Sequence, residues 1–257
     1  MTAGTYSPNI VNAMTIYPNS VDVSFDVRLD SNGKDPDFAS STLKMFHKIL
    51  WTKSLPNGQF LDLREDVPNH YLLGLTPNLE ISLSSDTICN SYVKRKRIEP
   101  IVEPITESVE SFRKLVYSIG GFILFPAKKV DGLNTINQER GWIKKIDDRF
   151  DLTLECIRLY YLGKDSPLFS VLNRYGTFFD LFVDFEGYVD FFLLNDLVSS
   201  DFSNVHYFLP GGLSDGLRAL PISTDEYLTF MNNAQTFLES RNKRISNWVN
   251  SQLNHRT

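Results

Sequence analysis

Residues 121–126, GFILFP, form an unbroken apolar run too short for a helix core, and they constrain the fold most. Such a run reads as a fully buried strand, and a buried strand needs hydrogen-bonded neighbours on both edges or a cover. Apart from a short edge-strand signal at Val205–Leu209, the other strand signals lie before residue 100. Val21, Val23, Phe25 and Val27 alternate with polar residues, and Phe60–Leu63, Tyr71–Leu75 and Leu79–Leu83 are short apolar stretches between turn residues. After residue 147 the pattern is mostly helical. Strands first and helices later point to an α+β fold, in which a small mixed or antiparallel sheet from the N-terminal half is covered by a mostly helical C-terminal half. Because GFILFP must pair with strands on the far side of the Pro100–Pro104 linker, residues 21–257 read as a single α+β domain. Residues 1–20, rich in Thr, Asn, Ser and Pro, read as a loose N-terminal arm.

The helix signals are local. Ser40 or Ser41 caps a helix carrying Leu43, Phe46, His47, Leu50 and Trp51 at helical spacing. The run Ser84-Ser85-Asp86 reads as the cap of a second helix ending in Lys94–Arg97. Thr106–Ile119 is an amphipathic helix stopped by Gly120-Gly121. Asp147 or Asp148 caps a helix that Gly163 ends. Ser166-Pro167 starts another, and the aromatic stretch 178–198 is apolar almost all round, so its helices are buried on most faces. Val205–Leu209 reads as an edge strand. The last helix, 224–252, has Thr224-Asp225 as its cap.

Composition limits the function. Net charge is −5, against coating of duplex DNA by bulk charge, though not against a local basic groove. Aromatic residues make up 13%, which calls for a thick aromatic core. The longest apolar run is interrupted by Asp180, Asp184, Glu186 and Asp190, so no membrane span is expected. With Cys89 and Cys156 as the two cysteines, a reducing cytoplasm suits the chain better than a disulfide framework. Four dispersed histidines and two cysteines give no metal-ligand spacing. Glycine-rich phosphate loops and a GxSxG elbow are absent. Arg28, Ser82–Ser85 and Glu139 follow the order of arginine-serine-glutamate ADP-ribosyltransferases, on loose spacing. His47 and Trp51 share a helix face and read as a core pair.

The densest polar constellation lies in residues 139–158. Asp151 and Glu155 are four apart, and Glu155 and Arg158 three apart, so these side chains meet on one helix face. In one reading Arg140, Lys145, Arg149 and Arg158 hold phosphate, with Asp148, Asp151 and Glu155 as acid, base or metal ligand. That would make the chain an enzyme acting on nucleic acid or a nucleotide, in a setting such as bacterial stress or phage defence. A second reading is a non-catalytic module binding an anionic small ligand or a protein partner. A third makes the cluster a structural salt-bridge network. Two basic runs with aromatic neighbours, Lys94–Arg97 beside Tyr92 and Arg241-Lys243-Arg244 beside Trp248, could line a groove for nucleic acid or be solvated helix ends. No cofactor is indicated.

The strings HKILWTKSLPNG (47–58), LSSDTI (83–88), GGFILFP (120–126), TIN (135–137), DRFDLTLECIRLYYLGKDSPL (148–168) and GYVDFFLLNDLV (187–198) resemble a family of bacterial cytosolic proteins catalogued as a domain of unknown function. The resemblance runs from about residue 24 to about residue 248. It implies one compact domain and brings no activity; Asp148, Arg149, Asp151, Glu155 and Arg158 fall inside the matching strings and Arg140 and Lys145 in the stretch that two of them bracket, Arg28 and Glu139 outside the pattern.

Overall fold

The computed structural model describes residues 21–67, 70–76, 79–213 and 218–254. The expected arm, residues 1–20, lies outside the described residues. A four-stranded antiparallel sheet, β1 (Leu63–Val67), β2 (His70–Thr76), β3 (Leu79–Thr87) and β4 (Phe122–Pro126), has its strands in sequence order. Helix α1 (Ser41–Leu50) precedes it. Helix α2 (Thr106–Val116) bridges β3 and β4, and α3 (Ile136–Trp142), α4 (Phe150–Tyr161), α5 (Phe169–Arg174), α6 (Phe185–Phe191) and α7 (Thr224–Asn254) follow. The α+β expectation therefore stands, with the sheet antiparallel throughout.

β3 runs four residues past the alternating stretch that marks it in the sequence. Successive strand residues face opposite sides, and both sides of its second half are covered. On one side Ser85 meets the His47 ring of α1 at 3.1 Å. On the other Asp86 takes the Arg140 guanidinium of α3 at 2.6 Å, and Ser84 faces Asn137. Ser84, Ser85 and Asp86 are thus strand residues with side-chain partners, not helix caps. The helix expected to follow them is replaced by turns through residues 90–98. β4 pairs with this half of β3, Ser84 opposite Phe125 and Asp86 opposite Ile123, and every β4 residue is buried.

Other expectations shift for local reasons. Residues 21–27 form turns rather than a strand, although Val27 N–H reaches Tyr117 O at 3.0 Å, so alternation alone did not recruit a neighbour. Arg28 there is gripped by Asp26 and lies over Tyr117, which removes the strand that the ADP-ribosyltransferase order requires. The expected Phe60–Leu63 strand begins only at Leu63. Val205 makes a single bridge to Val198 in place of an edge strand. At α7 the cap is Ser223, one residue before the expected Thr224: Ser223 Oγ accepts from Glu226 N–H at 3.2 Å and Glu226 accepts from Ile222 N–H at 3.0 Å. α3 was not expected, yet its start carries a capping box, Thr135 Oγ1 taking the Gln138 N–H while Gln138 takes the Thr135 N–H. Replacing Thr135 by Ala should cost about 1 kcal/mol of stability in urea unfolding.

The stretch 176–197 does not form long helices. It breaks into short helical turns and α6 around one aromatic knot, in which Phe178, Phe179, Phe182, Tyr188, Phe191 and Phe192 pack ring on ring and Trp51, at the C-terminal end of α1, inserts against Phe191 at 4.8 Å. His47 and Trp51 are both buried, as expected, but each packs on other rings: His47 lies edge-on to Tyr71. Burial pushes the His47 imidazole down to about 3. At Val183 the backbone turns through φ 70°, ψ −54°, with Asp184 N–H on Phe182 O at 2.8 Å. That is the strained hand of the γ-turn, on a β-branched and exposed residue. It aims Asp184 to cap α6 through Gly187 N–H.

Candidate functional site

Most charged residues of 139–158 are paired, two pairs closing within the stretch and the others on Asp86, Arg95 and Arg97. Arg149 precedes α4 without capping it. Its guanidinium turns onto Asp151, by Nε at 3.0 Å and by Nη2, while Nη1 donates to Ala219 O at 2.9 Å. Asp151 is fully buried and also accepts the Phe208 N–H at 2.9 Å. Arg140, fully buried, donates to Thr153 Oγ1, Asp86 and the Asp148 carbonyl, above the Phe125 and Phe150 rings. Asp147 and Asp148, expected as caps, instead occupy consecutive left-handed conformations, φ 50° and 65°. Asp147 faces Arg95 and Arg97, and Asp148 faces Arg95 at 3.3 Å. Glu155 and Arg158 form a two-pronged pair with both bonds at 2.8 Å. Lys145 is exposed.

Asp86, Asp147 and Asp148 thus meet Arg95, Arg97 and Arg140, three carboxylates against three guanidiniums. The two arginines of the first basic run are consumed here, while Lys94 and Lys96 stay exposed. Desolvation raises the Asp86 carboxyl, and Arg140 opposes that rise. Such a balanced set offers little net attraction for a phosphate, because each guanidinium would have to exchange an existing partner for it.

A second place is open. A groove of ≈ 790 Å³ runs between α7 and the turn after α6, lined by Lys53, Asp190, Asp196, Lys243, Arg244 and Trp248 among others. Its walls are fixed by Arg241, which is fully buried on α7. Arg241 donates to Phe192 O at 3.0 Å, Gly120 O at 2.6 Å and Phe122 O at 2.9 Å, so α7, β4 and the end of α6 share one cationic clasp. Three residues on, Arg244 emerges to grip Asp196 by two bonds at 2.8 and 2.9 Å. One turn further, Trp248 presents its ring to the groove.

Lys53, just beyond α1, enters from the opposite side. Its Nζ donates to the carbonyls of Asp190 at 2.7 Å and Phe191 at 3.0 Å and sits 5.5 Å from both the Phe191 and Trp248 rings. Burial pulls this ammonium down to about 8, although the nearby Asp190 charge acts in the other direction. Arg241, Lys243, Arg244 and Trp248 were legible in the sequence as a basic run with an aromatic neighbour. Lys53 was not singled out as a site residue, for its partners lie 137 and 138 positions away. Among the described residues no group of three or more His, Cys, Asp or Glu is arranged to hold a metal ion, and no helix is long and apolar enough to cross a membrane.

A model for a family of unknown function, DUF6994, matches residues 21–245, most of the chain. The chain belongs to that family. No curated protein and no solved structure matches it.

Proposed function

We propose that this member of a family of unknown function is a binding module for an anionic small ligand of the nucleotide kind, seated in the groove between Lys53 and α7. The observation that carries this reading is the Lys53 ammonium, held by two carbonyls and two rings with no carboxylate within ion-pair distance among the described residues. A phosphate would supply the missing counter-charge, exposed Lys243 would extend the basic side next to the Arg244–Asp196 pair, and Trp248 would give a flat face for a base. The two carboxylates in the groove are engaged, Asp196 by Arg244 and Asp190 by Asn195, which favours binding over acid–base catalysis. In this reading Arg140, Arg149, Asp151, Glu155 and Arg158 frame the fold. Two free, buried thiols, Cys89 and Cys156, are compatible with a reducing cytoplasm.

Thermal shift against nucleoside mono-, di- and triphosphates, a short RNA and inorganic phosphate tests it. A ligand at a hundred times its Kd stabilises by about 2.7 kcal/mol, which for a chain of this length raises the melting temperature by about 5–10 °C. Trp248→Ala should remove most of the nucleotide response while leaving that to phosphate. If no nucleotide or RNA at millimolar concentration moves the midpoint, the reading fails.

A further inference from the structure

The environment of Lys53 has a consequence beyond anion binding. A protonated amine has three N–H donors and a neutral one has two with a lone pair. The protein supplies two acceptors, the Asp190 and Phe191 carbonyls, at 2.7 and 3.0 Å. Two aromatic faces close the flanks at 5.5 Å each. Lys53 itself lines both the ≈ 790 Å³ groove and a second cleft of ≈ 450 Å³, and Asp190 lines both as well.

We propose that Lys53 is a reactive amine that condenses with an aldehyde or ketone ligand in this groove. The Nζ lone pair attacks the carbonyl carbon, and the carbonyl oxygen takes the proton that nitrogen sheds, giving a carbinolamine. Loss of its hydroxyl with a second proton as water then forms a C=N bond. Charged groups of both signs line the two clefts, Asp190, Asp196, Lys243 and Arg244 in the groove and Asp184 and Glu186 in the second cleft, and of these Asp190 favours the charged form of the amine. Desolvation outweighs Asp190 and lowers the amine to about 8, so at neutral pH roughly a tenth of it carries the free lone pair, far more than for an ordinary lysine near 10.4. The inference shares the open groove with the proposed function but does not require the ligand to be anionic.

The test treats the intact protein with limiting propanal, a neutral aldehyde, and sodium borohydride, which delivers hydride to the imine carbon and leaves a stable propyl amine. Peptide mapping then ranks the lysines. Lys53 should be alkylated at least tenfold faster than exposed Lys94 and Lys96, with a rate that climbs through pH about 8, and a Lys53→Arg chain should lose that fast site. Labelling of Lys53 at or below the rate of Lys94 and Lys96 would overturn the inference. Fast propanal labelling in a protein that no nucleotide stabilises would sink the nucleotide reading alone.

Discussion

Asp151→Ala should lower the unfolding free energy by about 3–5 kcal/mol, the cost of removing one partner of a buried ion pair and leaving the other charge uncompensated. Asp151 has no exposed surface, and its two oxygens serve three donors: two from Arg149 and the Phe208 N–H. Alanine would strand the Arg149 guanidinium in the interior with a single bond to Ala219 O. For a chain of 257 residues the melting temperature should fall by about 10 °C. Urea unfolding with an unchanged m-value is the appropriate reading. Adding Arg149→Met should recover part of the loss, since an apolar pair of similar volume tolerates burial better than a lone charge. A loss below about 0.5 kcal/mol for Asp151→Ala, the range of surface substitutions, would mean the pair is not the closed strut described.

Arg241→Met carries the second large effect. Met keeps the stem of the side chain but withdraws the donors from three buried carbonyls, those of Gly120, Phe122 and Phe192. Each orphaned acceptor costs about 1–3 kcal/mol, so a total loss above about 3 kcal/mol is expected in the same assay. No carboxylate pairs with Arg241 among the described residues, so burial lowers the guanidinium to about 9 and backbone dipoles alone hold its charge. Because the clasp fixes the α7 wall of the groove, any folded fraction of Arg241→Met should also bind ligand more weakly. A variant as stable as the parent would show that the clasp does not set the packing of α7.

How far the sequence reaches can be judged from particular residues. The sheet was legible because β2, β3 and β4 carry period-two or fully apolar runs, and α1, α2, α4 and α7 because their apolar spacing is helical. Ser84-Ser85-Asp86 misled because polar residues on a strand resemble a cap until their partners, His47 and the α3 side chains, are known. Those partners are 38 to 54 positions away. The density of charge at 139–158 was visible, and so was the Glu155–Arg158 pair, which is local. Its closure was not, because Asp147 is met by Arg95 and Arg97 from across the fold at separations of 52 and 50 residues. Lys53 escaped for the same reason. Val183 gave no signal at all: nothing in a valine announces a γ-turn of the wrong hand.

The charged frame and the binding groove are separate parts of the protein, and one titration distinguishes them. Nucleotide binding should be followed by isothermal calorimetry for the parent, for Lys243→Gln/Arg244→Gln in the groove, and for Glu155→Gln/Arg158→Gln in the frame. Losing charge-assisted bonds worth about 1.5–3 kcal/mol should weaken the groove variant by ten- to a hundredfold, while the frame variant binds as the parent does. A folded frame variant that loses binding, beside a groove variant that keeps it, would contradict the assignment and return the site to residues 139–158.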